Sequence, residues 1–393
     1  MCQSFLLRSQ KDDVVVSRSM EFPPMPSWQV HGKTFQFDWH ACLVPAGTSF
    51  SSHLADQGGG TGDRWHSTYR YVGITGFSKL NAFIYGELLG GNLLRPVIGP
   101  FSSEGVNECG LSASLLTYDA DMEWSDGSGE AEHKVYWFLF VDYVLGQYAN
   151  VEKLRSDLQA GQLLPFGAAG RLLAKLNQPC HFIMHDQSGD WLVVEVNQGR
   201  PVLYDRHYLK DHKLEIFAPA LNGSLHGLLT NAPGLDWHYT NFRQYFHLSP
   251  YDPARPTAYP KDGMRQTSHG SGMVGLPGDY TSPSRFTRLA NALRHVPQPA
   301  DLAATICLAN HLLNSATIVE GLVMEEPRPG LVRLYDHTDW VTIKQLSGPS
   351  PVLYYRPYGA DPLGPGPMYR AFTFADFPAT LTYVPLGAAE TPA

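Results

Sequence analysis

The runs SFLLRS and DVVVSRSMEF, separated by the polar QKDD, open the chain with two apolar or β-branched segments around a turn. That pattern predicts an antiparallel hairpin. A hairpin turning through QKDD sets Cys2, at the head of the first strand, beside Arg18 near the end of the second. Whatever else the chain does, it must build a sheet onto a strand that starts at its second residue.

Further strand-like runs follow in HACLVPAG, STYRYVGITGF, NAFIYGELLGG and NECGLSASLLTY. EHKVYWFLFVDYVLGQYANVEKLRSDLQ carries apolar residues at helical spacing and reads as one or two helices. CHFIMHDQSGDWLVVEVNQGRPVLYD reads as a meander turning at SGD and NQGRP. SRFTRLANALRHV and ADLAATICLANHLLNSA are predicted helices, the first opening at a Ser-Pro-Ser cap region, and VRLYDHTDWVTIKQLSGPSPVLYYRPY closes with strands. Strands interleaved with pairs of helices, without strict β-α alternation, predict an α+β fold of layered sheets covered by helices. With no internal repeat and no low-complexity linker, a single domain over residues 1–393 is the expectation.

Composition removes several function classes. Hydrophobic residues make up 43% of the chain, enough for a packed core. Lys plus Arg number 29 against 37 Asp plus Glu, with a net charge of −8 and no basic run, so nucleic acid and anionic membrane surfaces are poor partners. No apolar stretch reaches the roughly 18 residues of a membrane span. MCQSFLLRSQKDD lacks the layout of a secretory signal, so the chain as written reads as cytoplasmic; a leader removed from the native protein would make it periplasmic or secreted. Cys2, Cys42, Cys109, Cys180 and Cys307 are odd in number with no C-x-x-C pair, which argues against a disulfide scaffold or a zinc ribbon. The histidines show no metal-ligand spacing, and no metal or organic cofactor is implied. GGGTGD lacks the Gly-Lys-Ser/Thr ending of a phosphate loop, and no H-E-x-x-H, G-x-S-x-G or G-x-G-x-x-G occurs.

Cys2 stands apart because of its position. Once Met1 is removed, one residue carries both a thiol and a free α-amine. An α-amine titrates near about 7.7–8.0, below any ordinary lysine, and is a general base that needs no burial to tune it. Attack on a carbonyl then needs a cation to favour thiolate and donors for the oxyanion. Arg18 is a candidate for the cation.

Four separated segments carry a family resemblance. MCQSF with VSRSMEF, EGVNECGL, LTNAPGLDWHYTNFRQY and GLPGDYTSPSRFTR resemble, in order and spacing, the signatures of the choloylglycine hydrolase and penicillin V acylase family, cysteine members of the N-terminal nucleophile hydrolases. Weaker likeness runs through STYRYVGI, GDWLVVEVNQGRPVLYD and DWVTIKQLSGPSPVLYYRPY, so residues 2–360 carry most of it and 361–393 read as a C-terminal extension. The resemblance implies a four-layer αββα sandwich with the nucleophile at a strand end between two stacked sheets. It also implies roles: Cys2 as nucleophile and, through its amine, base; Arg18 beside the thiol; Arg285 as a second arginine; Asn231 as the side-chain amide of the oxyanion hole; and Asn107 as the residue whose backbone N–H supplies the other donor. The family's acidic residue three positions after the first arginine is normally aspartate; here it is Glu21.

The resemblance further implies hydrolysis of a linear, non-peptide carbon–nitrogen amide in a small amphipathic N-acyl molecule, through a thioester, with conjugated bile acids, penicillin V and N-acyl homoserine lactones as family precedents. Phe22, Met25, Trp28, Tyr69 and Trp124, on segments expected to be loops, are candidates to line an apolar acyl pocket. A homotetramer is also implied. Two other readings stay open: an acyltransferase using the same nucleophile, and a non-catalytic binding protein on the same fold.

Overall fold

The computed structural model describes residues 2–22, 28–30, 33–35, 38–52, 62–76, 97–118, 122–128, 130–167, 177–213, 220–221, 224–225, 227–250, 272–324, 335–360 and 367–386. NAFIYGELLGG falls outside them.

The predicted hairpin is present. Strand β1 (Cys2–Arg8) pairs antiparallel with β2 (Val14–Phe22), Cys2 opposite Met20 and Ser4 opposite Arg18. The other main strands are β3 (His40–Val44), β4 (Tyr71–Thr75), β5 (Glu104–Asn107), β6 (Ser112–Thr117), β7 (Cys180–His185), β8 (Trp191–Asn197), β9 (Arg200–Tyr204), β10 (Leu228–Leu229), β11 (Val323–Met324), β12 (Tyr335–Gln345), β13 (Val352–Pro357), β14 (Arg370–Phe372) and β15 (Thr382–Pro385). They form two sheets. The nucleophile sheet runs β10-β1-β2-β12-β13-β14, with β11 also on β12; the facing sheet runs β9-β8-β7-β6-β5-β4-β3-β15.

Helices α1 (Phe140–Gln147) and α2 (Val151–Gln159) cover the outer face of the facing sheet; α3 (Leu235–Phe242), α4 (Ser282–His295) and α5 (Leu302–Ala316) lie on the nucleophile sheet's side. The result is the αββα sandwich. Strand alternation explains the layering. In β7, Phe182 and Met184 join the cluster under α1 and α2, while Ile183 joins the cluster that also holds Cys2, Phe5 and Leu7. α2 starts at Asn150, whose side chain accepts from Lys153 N, and α5 at Asp301, which accepts from Ala304 N.

One expectation needs correction. His133–Tyr136, read as helix, is a strand in parallel register with Leu163–Phe166. Its short HKVY run fits either periodicity, and pairing with LLPF decides it. Within the stretch 361–393 expected as a C-terminal extension, the described residues 367–386 supply β14 to the nucleophile sheet and β15 to the facing sheet.

Candidate active site

Cys2 opens β1 and is only 2% exposed. Because residues two apart share a strand face, and Cys2 sits opposite Met20, the side chains of Cys2, Arg18 and Met20 meet between the sheets. Arg18 Nη2 lies 3.7 Å from Cys2 Sγ, and the sulfur lies 3.5 Å from Met20 Sδ. The guanidinium is held from the facing sheet: Nη2 donates to Leu115 O at 2.6 Å and Nη1 to Ser103 O at 3.3 Å. The Trp340 ring lies 5.1 Å from its carbon.

Asn231 closes the other side. The Cys2 backbone nitrogen donates to Asn231 Oδ1, and Asn231 Nδ2 donates to Thr117 O at 2.7 Å. Its carbonyl accepts from His238 Nε2 at 2.8 Å and from Ser282 Oγ at 2.9 Å. Burial pulls His238 down to about 4, so the ring is neutral near pH 7, and the bond to a carbonyl places its proton on Nε2.

Arg285 gathers these groups from the first turns of α4, which starts behind Thr281 with Pro283 in the opening turn. Its Nη1 donates to Cys2 O at 3.0 Å, Nη2 to Asn231 Oδ1 at 2.9 Å and Nε to Tyr280 O at 3.1 Å. Glu21 Oε2 lies 3.7 Å from Arg285 Nη1, and Glu21 Oε1 accepts from Thr338 Oγ1 at 3.0 Å. Burial raises the Glu21 carboxyl, against the pull of Arg285. A register shift between Met20 and Glu21 brings Thr338 opposite Glu21. The bulge thus gives the longer carboxylate a hydroxyl donor where Asp339 would have faced it in a regular ladder.

Five of the six expected catalytic residues, Cys2, Arg18, Glu21, Asn231 and Arg285, therefore converge. Asn107 does not. Glu104 and Val106 of β5 point between the sheets, which turns Asn107 to the helical side, where Nδ2 donates to Leu145 O and Tyr148 O at the end of α1. Its backbone N–H, the group expected to serve the oxyanion, is given to Leu111 O at 2.9 Å.

The expected acyl-pocket residues are also redistributed. Trp124 stacks on Trp137 at 5.8 Å and packs near Phe182, in the cluster on the face away from Cys2. Tyr69 precedes β4, its N–H donating to Gly146 O of α1. Met25 lies outside the described residues, as do the side chains of Phe22 and Trp28. Sequence reasoning missed Glu104, Lys344, Thr338 and His238, and the carbonyls of Ser103, Leu115 and Thr117. A lysine inside the strand run WVTIKQ was the one local signal; backbone carbonyls leave none.

Comparison with known proteins agrees with this geometry. The family model for linear amide C–N hydrolases, choloylglycine hydrolase family, matches residues 2–336. A bile salt hydrolase/transferase of Bifidobacterium longum is 34% identical over 223 residues, 57% of this chain and 63% of that one. The bile salt hydrolase/transferase of Clostridium perfringens is 25% identical over 226 residues, 56% of this chain and 61% of that one. The aligned part thus spans less than two thirds of these relatives. Among solved structures, a variant of conjugated bile acid hydrolase from Clostridium perfringens superposes with a TM-score of 0.69 at 18% identity, covering 100% of this chain and 99% of that one. Penicillin V acylase from Agrobacterium tumefaciens gives 0.65 at 16% identity, covering 99% and 92%. These two share the fold.

Proposed function

The chain belongs to the choloylglycine hydrolase family of linear amide C–N hydrolases, and from that premise we propose that it cleaves the amide of a small N-acyl molecule with Cys2 as nucleophile. The observation that carries this reading is the meeting, at one residue, of a sulfur 3.7 Å from Arg18 Nη2 and a nitrogen bonded to Asn231 Oδ1.

Removal of what precedes Cys2 turns that nitrogen into an α-amine. The thiol proton passes to the amine, and the sulfur bonds to the amide carbon. The tetrahedral oxyanion takes a hydrogen bond from Asn231 Nδ2, whose second N–H is available beside the one given to Thr117 O. Collapse breaks the C–N bond as the ammonium returns its proton to the leaving amine. Water, losing a proton to the same α-amine, then releases the acid from the thioester. Arg18 stabilises thiolate, Arg285 fixes Cys2 and Asn231, and Glu21 is held in place by Thr338 and Arg285.

The substrate class proposed is an apolar acyl group on a polar amine, as in a bile-acid conjugate, penicillin V or an N-acyl homoserine lactone. The relatives named hydrolase/transferase give one reason to test a second acceptor, since an amine can take the thioester in place of water. The proposal includes one cooperative domain and a homo-oligomer, read by calorimetry and light scattering. Amine release is measured from one compound of each class, with and without a competing amine, and with Cys2→Ala as the blank. Release that disappears in the blank, with an acyl-enzyme mass on Cys2, is the expected result. Equal turnover by Cys2→Ala rejects the mechanism.

A further inference from the structure

One end of the Arg18 guanidinium faces the Cys2 sulfur; the other, Nη1, lies 3.8 Å from Glu104 Oε2. Lys344 Nζ donates to that same oxygen at 2.7 Å and lies 3.4 Å from Ser114 Oγ. The three charged side chains are fully enclosed. Arg18 and Lys344 rise from β2 and β12 of the nucleophile sheet, while Glu104 and Ser114 come from β5 and β6 of the facing sheet. On β13, burial and then the carboxylates of Asp339 and Glu104 push the Tyr355 hydroxyl up. On the nitrogen side of Cys2, Arg285 and Glu21 carry charge, and Asp339, which burial and then Asp336 and Glu21 raise to about 7, lies within their field.

Such a cluster is a poor choice for stability alone. Burying charge is costly, and an apolar set of the same volume serves packing as well. Nor is it needed to aim Arg18, which two carbonyls and the Trp340 ring already hold. What Glu104 and Lys344 add is charge. Burial pushes the Glu104 carboxyl up, but Lys344 and then Arg18 bring it below its ordinary value. Burial likewise lowers the Lys344 ammonium, against Glu104.

We propose that Glu104 and Lys344 are positioning residues acting through Arg18: the carboxylate offsets the guanidinium, Lys344 offsets the carboxylate, and the balance sets how much positive charge reaches the Cys2 sulfur. This rests on Cys2 being the nucleophile. It gives the two variants opposite signs on the premise, part of the proposal, that Glu104 stays ionised in Lys344→Met beside the guanidinium 3.8 Å away, which keeps its own charge throughout.

The experiment follows alkylation of Cys2 by iodoacetamide across pH in the full, processed chain, read from the mass of the Cys2 peptide. Glu104→Gln leaves the guanidinium unopposed, so the profile moves to lower pH and the rate at neutral pH rises about threefold. Lys344→Met leaves the carboxylate to Arg18 alone, so the profile moves to higher pH and the rate falls about threefold. The combined Glu104→Gln/Lys344→Met variant buries no unmatched carboxylate and guards against misfolding of the single lysine variant; it moves the same way as Glu104→Gln. Shifts of one sign in both single variants, or an unmoved profile in folded variants, overturn the inference. Alkylation needs no turnover: an unmoved profile in a working amidase defeats the charge balance alone, and shifted profiles in a protein that cleaves no amide support it while removing the proposed reaction.

Discussion

Two carboxylates, Glu104 and Asp142, are both completely buried against opposite faces of the facing sheet, and they behave oppositely. Glu104 looks between the sheets at two cations and is held below its ordinary value despite burial. Asp142, on α1, meets neutral donors among the described residues, Tyr71 Oη at 2.9 Å and Ser102 N at 3.1 Å among them. Burial raises it to about 6, more than these hydrogen bonds can offset. The same sheet therefore separates a charged interior that adjoins the nucleophile from a hydrogen-bonded interior that fastens a helix.

The sharpest way to break that contrast is to remove a charge from each side. Arg18→Met should lower kcat/KM on the order of 10²-fold, whereas Asp142→Asn should leave it within about twofold; equal losses in amine release would erase the distinction. Next in size is the pH dependence of stability. Asp142 binds its proton more tightly folded than unfolded, so its contribution falls as pH rises from 3.8 through about 6. Asp142→Asn should flatten the denaturant-measured curve there by up to about 3 kcal/mol. Glu104, depressed when folded, stabilises above its ordinary value of 4.5 and loses this as pH falls, so Glu104→Gln should flatten the acid side, with the opposite slope.

Asn107→Ala tests the outer face again. It deletes side-chain bonds to Cys109 N, Leu111 N, Leu145 O and Tyr148 O and should cost about 2–4 kcal/mol. The kcat of the folded fraction should not change. The smallest effect is expected from Asn150→Ala, which removes the cap of α2 for about 1 kcal/mol, read as a lower melting temperature with unchanged turnover.

Much of the inner face could be read in advance because it is local. The hairpin follows from two apolar runs around QKDD, and its register brings Arg18 to Cys2 without tertiary information. Arg285 and Asn231 were legible through long, unusual segments. Asn107 shows the limit: the resemblance implies its backbone N–H as a donor, but where that N–H goes depends on how β5 turns into β6, and here it goes to Leu111 O. Glu104 and Lys344 meet across 240 residues of sequence, so no spacing rule connects them. Trp124 carried the right chemistry for an apolar pocket, but its ring packs with Trp137 and Phe182 on the face away from Cys2.

The last strands bear on how large a substrate can be admitted. β14 forms one edge of the nucleophile sheet and β15 one edge of the facing sheet, with only residues 373–381 between them. That short span acts as a spine: the two covers of the sandwich are bound along this side. β1, with Cys2 at its head, lies toward the opposite edge beside β10, where His181 Nε2 of β7 donates to Thr230 O at 2.8 Å and His185 Nε2 to Gly227 O at 3.1 Å. Any parting of the covers to take a bulkier acyl group must therefore break those cross-sheet bonds on the Cys2 side as well as strain the spine.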